Sequence, residues 1–166
     1  MIGCTTVGAI TLAGCGGGST STGASTAAGA SRMPGTTPLS QHEFVSKANA
    51  ACKDYNRKYQ TLKAPSNSTR SIAAFGARVI PLMDDTYAKL SALRPPTDLR
   101  ARYRQYESDA KKQIAFANDV ESAAKLHDAG LMHYVAHKGQ AHKARLDSEA
   151  RALSLTECAK SVHPQG

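Results

Sequence analysis

The chain has 166 residues, 41% hydrophobic and 5% aromatic, with no Trp and a formal charge of +8. Once a low-complexity start is set aside, about 125 residues remain, enough for one modest core. Alanine supplies much of the apolar content, which suits close helix packing and argues against a sheet built from β-branched and aromatic residues. The basic excess favours anionic partners by long-range attraction. Lys and Arg are nonetheless scattered along positions 47–160, as on a helical surface that is merely kept soluble, and nucleic acid is not an expected partner.

Residues 7–13 form a short apolar stretch that ends in Leu12-Ala13-Gly14-Cys15 and is followed by Gly16-Gly17-Gly18-Ser19. Spanning a bilayer takes about 20 apolar residues, so this run reads as the end of a signal peptide. Small residues before the cut let a peptidase approach the backbone, and a cysteine just after it offers a thiol for a thioether to diacylglycerol. Leu12-Ala13-Gly14-Cys15 resembles the bacterial lipobox at each of its positions. By that resemblance residues 1–14 are removed and Cys15 becomes the lipidated first residue. The protein is then held by its lipid anchor on the extracytoplasmic face of the cell membrane.

Cys4 is preceded only by Met1-Ile2-Gly3 and cannot take that part. No Lys or Arg occurs before Arg32, so the basic start of a signal peptide is missing and the true start is expected upstream of Met1. The alternative is a chance Leu-Ala-Gly-Cys in a Gly-rich tail. Residues 15–39 are mostly Gly, Ser, Thr and Ala, with Pro34 and Pro38. They read as a flexible linker with a root-mean-square reach of about 25–30 Å. Two or more acyl chains at its end give stable anchoring.

Residues 40–166 read as the folded domain. Ser40 and Glu43 form a capping-box pattern, and Phe44, Ala48, Ala51, Tyr55, Tyr59 and Leu62 recur at helical steps, predicting a first helix over 41–63. Ala64-Pro65-Ser66-Asn67-Ser68 is a break. Ile72, Gly76, Val79, Met83, Tyr87 and Leu90 mark a second helix over 70–93, with Pro81 expected to kink it. Arg94-Pro95-Pro96-Thr97 ends that helix and offers Thr97 as the next cap. The third helix carries Leu99, Tyr103, Tyr106, Ala110, Ala117, Val120 and Ala124, and Asp128-Ala129-Gly130 turns the chain. The fourth shows Leu131, Val135, Gly139, His142, Leu146, Ala150 and Leu153 on one face. Together these predict an all-α, up-down-up-down four-helix bundle.

With Cys4 lost and Cys15 acylated, Cys52 in the first helix and Cys158 after the fourth remain. The two helices are expected to be neighbours, and outside the cell a disulfide between these cysteines is the default. A redox-active pair is the rival, although such pairs usually sit in a Cys-x-x-Cys.

Three segments carry a resemblance. They are Phe44-Val45-Ser46-Lys47-Ala48-Asn49-Ala50-Ala51-Cys52, Leu90-Ser91-Ala92-Leu93-Arg94-Pro95-Pro96 and Leu153-Ser154-Leu155-Thr156-Glu157-Cys158. Across nearly the whole folded part the chain resembles small secreted proteins and lipoproteins of high-GC Gram-positive bacteria. The resemblance implies the bundle and the disulfide, and it brings no activity.

His133 and His137 have the spacing of two metal ligands on one helical face. They point away from the apolar stripe, and no Glu follows His133, so a surface pair is the better account. His142, by contrast, falls on the core stripe, as do Tyr55, Tyr59, Tyr87, Tyr103 and Tyr106. These polar tips are candidates for lining an internal pocket between helices. The alternative is that each one simply finds a hydrogen-bond partner in the core. Met33, Met83 and Met132 are too dispersed for a copper site. Asp84 and Asp85, with Glu107 or Asp109, are conceivable acid–base carboxylates but belong by pattern to a solvated face. No nucleophile elbow, phosphate loop or metalloprotease motif occurs, so no cofactor is implied and no enzyme is expected. The leading expectation is an anchored, non-enzymatic interaction module of the cell envelope, presenting a basic surface to an anionic envelope polymer or a protein partner. The alternative is a binding protein for a small apolar molecule or a metal held between the helices.

Overall fold

The architecture comes from a computed structural model that describes residues 37–165. Cys15, the segment read as a signal peptide and most of the segment read as a linker lie outside the described residues. The chain forms the expected up-down-up-down bundle of four helices: α1 (Gln41–Gln60), α2 (Thr69–Ser91), α3 (Arg100–Lys125) and α4 (Ala129–Ala152). None of these helices is long and apolar enough to cross a membrane.

Local chemistry sets most of the helix ends. The capping box at the start of α1 is complete: Glu43 N donates to Ser40 Oγ at 3.3 Å, and Ser40 N donates to Glu43 Oε2 at 3.0 Å. Ser68 caps α2 and Asp128 caps α4, accepting from Ser71 N and Leu131 N. Helix α2 runs on through Pro81, where only one backbone donor is missing.

Three readings are corrected. Thr97 is not the cap of α3: residues 97–99 form a turn closed by Leu99 N on Pro96 O, and Leu99 occupies the cap position without a side-chain bond. The reversal before α4 is tighter than the sequence suggested, because His127 takes φ 58° and Ala129 and Gly130 are already helical. That shift turns Leu131 out to 45% exposure and puts Met132 in the core instead.

Three apolar clusters make up the core. The largest lies at the end of the bundle where the linker enters and joins Phe44, Ala48, Leu90, Tyr103, Tyr106, Ala150, Leu153 and Leu155. The second gathers Leu62, Val79 and Ile80, and the third Ala123, Ala124 and Met132. Helix α3 packs along both α2 and α4, and α1 packs along α2, but α1 and α4 scarcely approach each other.

The chain after α4 explains that gap. Ser154 takes φ 62° and reverses the backbone, dropping Leu155 fully buried into the first cluster. The tail then follows α1. Asn49 donates to Ser154 O and accepts from Glu157 N, Cys52 is bonded to Cys158 with Cα atoms 5.0 Å apart, and Asn56 donates to Glu157 O at 2.8 Å. Positions 49, 52 and 56 share one face of α1, so the tail covers this face where α4 was expected. A parallel bridge between Lys63 and Gln165 fastens the tail's far end.

Candidate functional site

A cleft of about 550 Å³ opens inside the bundle, between the first and second clusters of the core. Its interior is formed by Val79, Met83 and Leu90 of α2 and by Ala110, Ile114 and Ala117 of α3. Tyr55 and Tyr59 of α1 stack at 5.7 Å between ring centroids, and Phe75 meets Tyr59 edge-on at 5.9 Å, giving an aromatic wall. Tyr87 and Tyr106 close other parts of the lining. Burial pushes the Tyr55, Tyr59 and Tyr106 phenols above their ordinary value, so they stay neutral and offer only O–H groups. The remaining lining comes from α4 and the tail, where Lys143, Asp147, Lys160 and His163 carry the polar edge.

The cleft exists because of the tail. Cys158 and residues 160–163 line one side, held there by the disulfide and by Asn56, and they keep α4 from closing onto α1. Of the residues read from the sequence as a candidate pocket, Tyr55, Tyr59, Tyr87 and Tyr106 reach the cleft. Tyr103 does not: it is 1% exposed, its hydroxyl donates to Leu90 O at 2.7 Å, and its ring packs edge-on against Phe44. His142 is also elsewhere, on the seam between α3 and α4, where Nε2 donates to Asp109 O at 2.8 Å and the ring lies against Phe116.

That seam holds a buried charge that the sequence placed on the solvated face. The Asp109 side chain is fully buried. Its Oδ1 accepts from Lys112 at 2.8 Å, and its Oδ2 accepts from Gln105 at 2.8 Å and forms an ion pair with Arg145 of α4 at 2.9 Å. Burial alone would raise the carboxyl pKa, but the bonds from Lys112 and Gln105 and the charge of Arg145 outweigh it and hold it at about 2. Buried, held ionised and surrounded by Lys112, Gln105 and Arg145, this carboxylate is a structural fastener and a poor proton acceptor at neutral pH.

No protein-family model matches the chain, and neither does any curated protein or solved structure. Chemistry must therefore come from the residues themselves. His133 and His137 are exposed, and among the described residues no three His, Cys, Asp or Glu side chains group as a metal site. What the cleft offers is volume, an apolar surface, neutral hydroxyls and a polar edge. Met83, Ile114, Phe75 and the tail were not part of the pocket read from the sequence. Met83 stood on a stripe that fitted a solid core equally well, Ile114 falls between Ala110 and Ala117 of the third stripe, and the tail follows no periodic pattern at all.

Proposed function

We propose that this is a lipid-anchored protein of the extracytoplasmic face whose helical domain binds a small, largely apolar molecule in the cleft, without catalysing a reaction on it. The cleft carries this reading: at about 550 Å³ it falls within the size of ordinary ligand pockets. Its apolar walls belong to regular helices and a disulfide-held tail, so little ordering is lost when a ligand enters. The address is supported by Leu12-Ala13-Gly14-Cys15, by the Gly/Ser/Thr run behind it and by the resemblance to high-GC Gram-positive lipoproteins. A disulfide also suits an oxidising compartment.

Native mass spectrometry of the protein extracted from its host's membrane tests both parts. The expected spectrum shows an acylated Cys15 terminus and a non-covalent small-molecule adduct. Ala110→Leu, which fills the cleft, should remove the adduct and keep the acyl group. A wild-type protein that carries no adduct, and that takes up no apolar probe such as a naphthalene dye in the cleft, would overturn the binding reading.

A further inference from the structure

Basic residues that look scattered along the sequence converge in the fold. Lys47 lies in the second turn of α1, Arg94 follows α2, Arg100, Arg102 and Arg104 open α3, and Arg151 stands in the last turn of α4. All six belong to one end of the bundle and all are exposed, and among the described residues none has an ion-pair partner within 4.0 Å. Elsewhere Arg57, Lys58, Lys89, Lys112, Lys125, Lys143, Arg145 and Lys160 are paired, and the basic residues without an ion pair there, Lys53, Lys63, Arg70, Arg78, Lys111 and Lys138, are spread along the bundle instead of gathered at one end. Four carboxylates stand near this end, and one of them, Glu149, is paired with Arg145, while Glu107 in the second turn of α3 has no ion-pair partner among the described residues. Glu43 is committed to Ser40, and the fourth is Asp98.

The choice runs against helix electrostatics. The first turn of α3 has no acidic residue and no side-chain cap, yet it holds Arg100 and Arg102 at the positive end of the helix dipole, with Arg104 directly behind them. A sequence selected only for a stable helix would place acids there, and departures of this kind concentrate at functional surfaces. The linker enters at the same place: Leu39 N donates to Arg94 O at 2.9 Å.

We propose that this end of the bundle docks on the anionic phospholipid headgroups of the membrane that holds the anchor. The proposal rests on the anchored reading of Cys15, and it is independent of what the cleft binds. Guanidinium groups match phosphate oxygens with paired donors, which a lysine surface does less well. An anchor on Cys15 of the same chain makes the encounter intramolecular, so even weak contacts hold the domain at the surface. Docking would leave the exposed Leu126, Leu131 and Tyr134 at the opposite end, away from the bilayer.

The test uses the full chain carrying Cys15→Ser, so that no acyl group contributes, and vesicles of phosphatidylglycerol with phosphatidylcholine. Sedimentation at low salt should show binding to the anionic vesicles, none to phosphatidylcholine alone, and release as salt shortens the range of attraction. The triple variant Arg94→Gln, Arg100→Gln, Arg104→Gln should weaken binding about a hundredfold, at roughly fivefold for each charge near the surface. A variant with the same loss of charge at the opposite end (Lys63→Gln, Arg70→Gln, Arg78→Gln) should change it by less than about fivefold. Equal loss in both variants would reduce the effect to net charge and overturn the proposal. So would binding to soluble polyphosphate without binding to vesicles, or no vesicle binding at low salt. A wild-type mass lacking the acyl group would overturn it through the anchor, since nothing would then present this end to a bilayer.

Discussion

Helix α4 meets its two neighbours in the bundle in opposite ways. Against α3 it is closed: Gly139 comes so near that an added Cβ would stand 3.3 Å from Phe116 Cβ, and Arg145 and His142 both reach Asp109. Against α1 it is held off by the tail, which is fastened at Asn49, Cys52 and Asn56, and the space left over is the cleft. A bundle topology therefore does not make four equal seams. A seam closes where small residues and satisfied polar groups allow contact, and it stays open where a stapled segment takes the neighbour's place.

The strongest way to break this contrast is to remove the staple. Cys52 and Cys158 are 106 residues apart, so changing both to Ala should cost about 3–4 kcal/mol in a urea titration, within the span found for native disulfides of small domains. The same variant should bind an apolar probe far more weakly, because the tail is one wall of the cleft. If stability falls by less than about 1 kcal/mol and probe binding persists, the asparagine bonds hold the tail and the disulfide is not what keeps the seam open.

The closed seam breaks at Asp109. Asp109→Ala leaves Lys112 without its acceptor and Arg145 with Glu149 alone, but both cations are more than half exposed and can turn to water. The expected loss is therefore about 2–3 kcal/mol rather than the larger penalty of a stranded buried charge. The carboxyl is held at about 2 in the fold, below its ordinary 3.8. A depressed acid stabilises fully above its unfolded value and loses that contribution as pH falls toward its folded value, here from about pH 4 to pH 2. Acid titration of stability should show this limb in the wild type, worth about 2 kcal/mol, and a shallower one in Asp109→Ala. Identical limbs would place the acid sensitivity elsewhere, with the half-buried Asp54 and the exposed Asp85 as the next carboxylates held low.

The two seams were not equally legible in the sequence. Four helices, the Ser40 end and the Cys52–Cys158 pair followed from periodicity, turn chemistry and compartment. Asp109 did not. It lies three residues after Tyr106, on the buried face, but a charge in a helical pattern is ordinarily assigned to solvent. What makes its burial tolerable is Arg145, on a different helix, and no one-dimensional pattern reports that contact. The α1 face was equally hidden, because Asn49 and Asn56 look like surface polar residues until the tail arrives to satisfy them. Residues 159–165 follow neither helical nor strand period, so their role as a wall of the cleft was invisible.

One pair of like substitutions sharpens the contrast further. Ala150 is fully buried in the cluster at the linker end, and Ala110 lines the cleft. Leucine at 150 must displace packed neighbours and should cost about 1–3 kcal/mol. At 110 it enters open space on a helix it suits, and should change stability by less than about 1 kcal/mol while abolishing probe binding. Thermal melts of the two variants decide it. Equal destabilisation would mean that the cleft collapses in solution and is packed as tightly as the rest.

His142→Leu should have the smallest effect and tests where the boundary between the seams lies. The imidazole donates to Asp109 O at 2.8 Å and lies against Phe116, with ring centroids 5.5 Å apart. Leucine loses that bond, worth about 1 kcal/mol, but the carbonyl also sits within a helix and the new side chain keeps the apolar contact with Phe116. The net change should stay within about 1 kcal/mol. Probe affinity should not move, since His142 is not among the residues that line the cleft. A variant that keeps its stability and loses the probe would show that the binding space crosses α3 to the far seam. The division between a closed and an open side of α4 would then be wrong, and His142 would be part of the site after all.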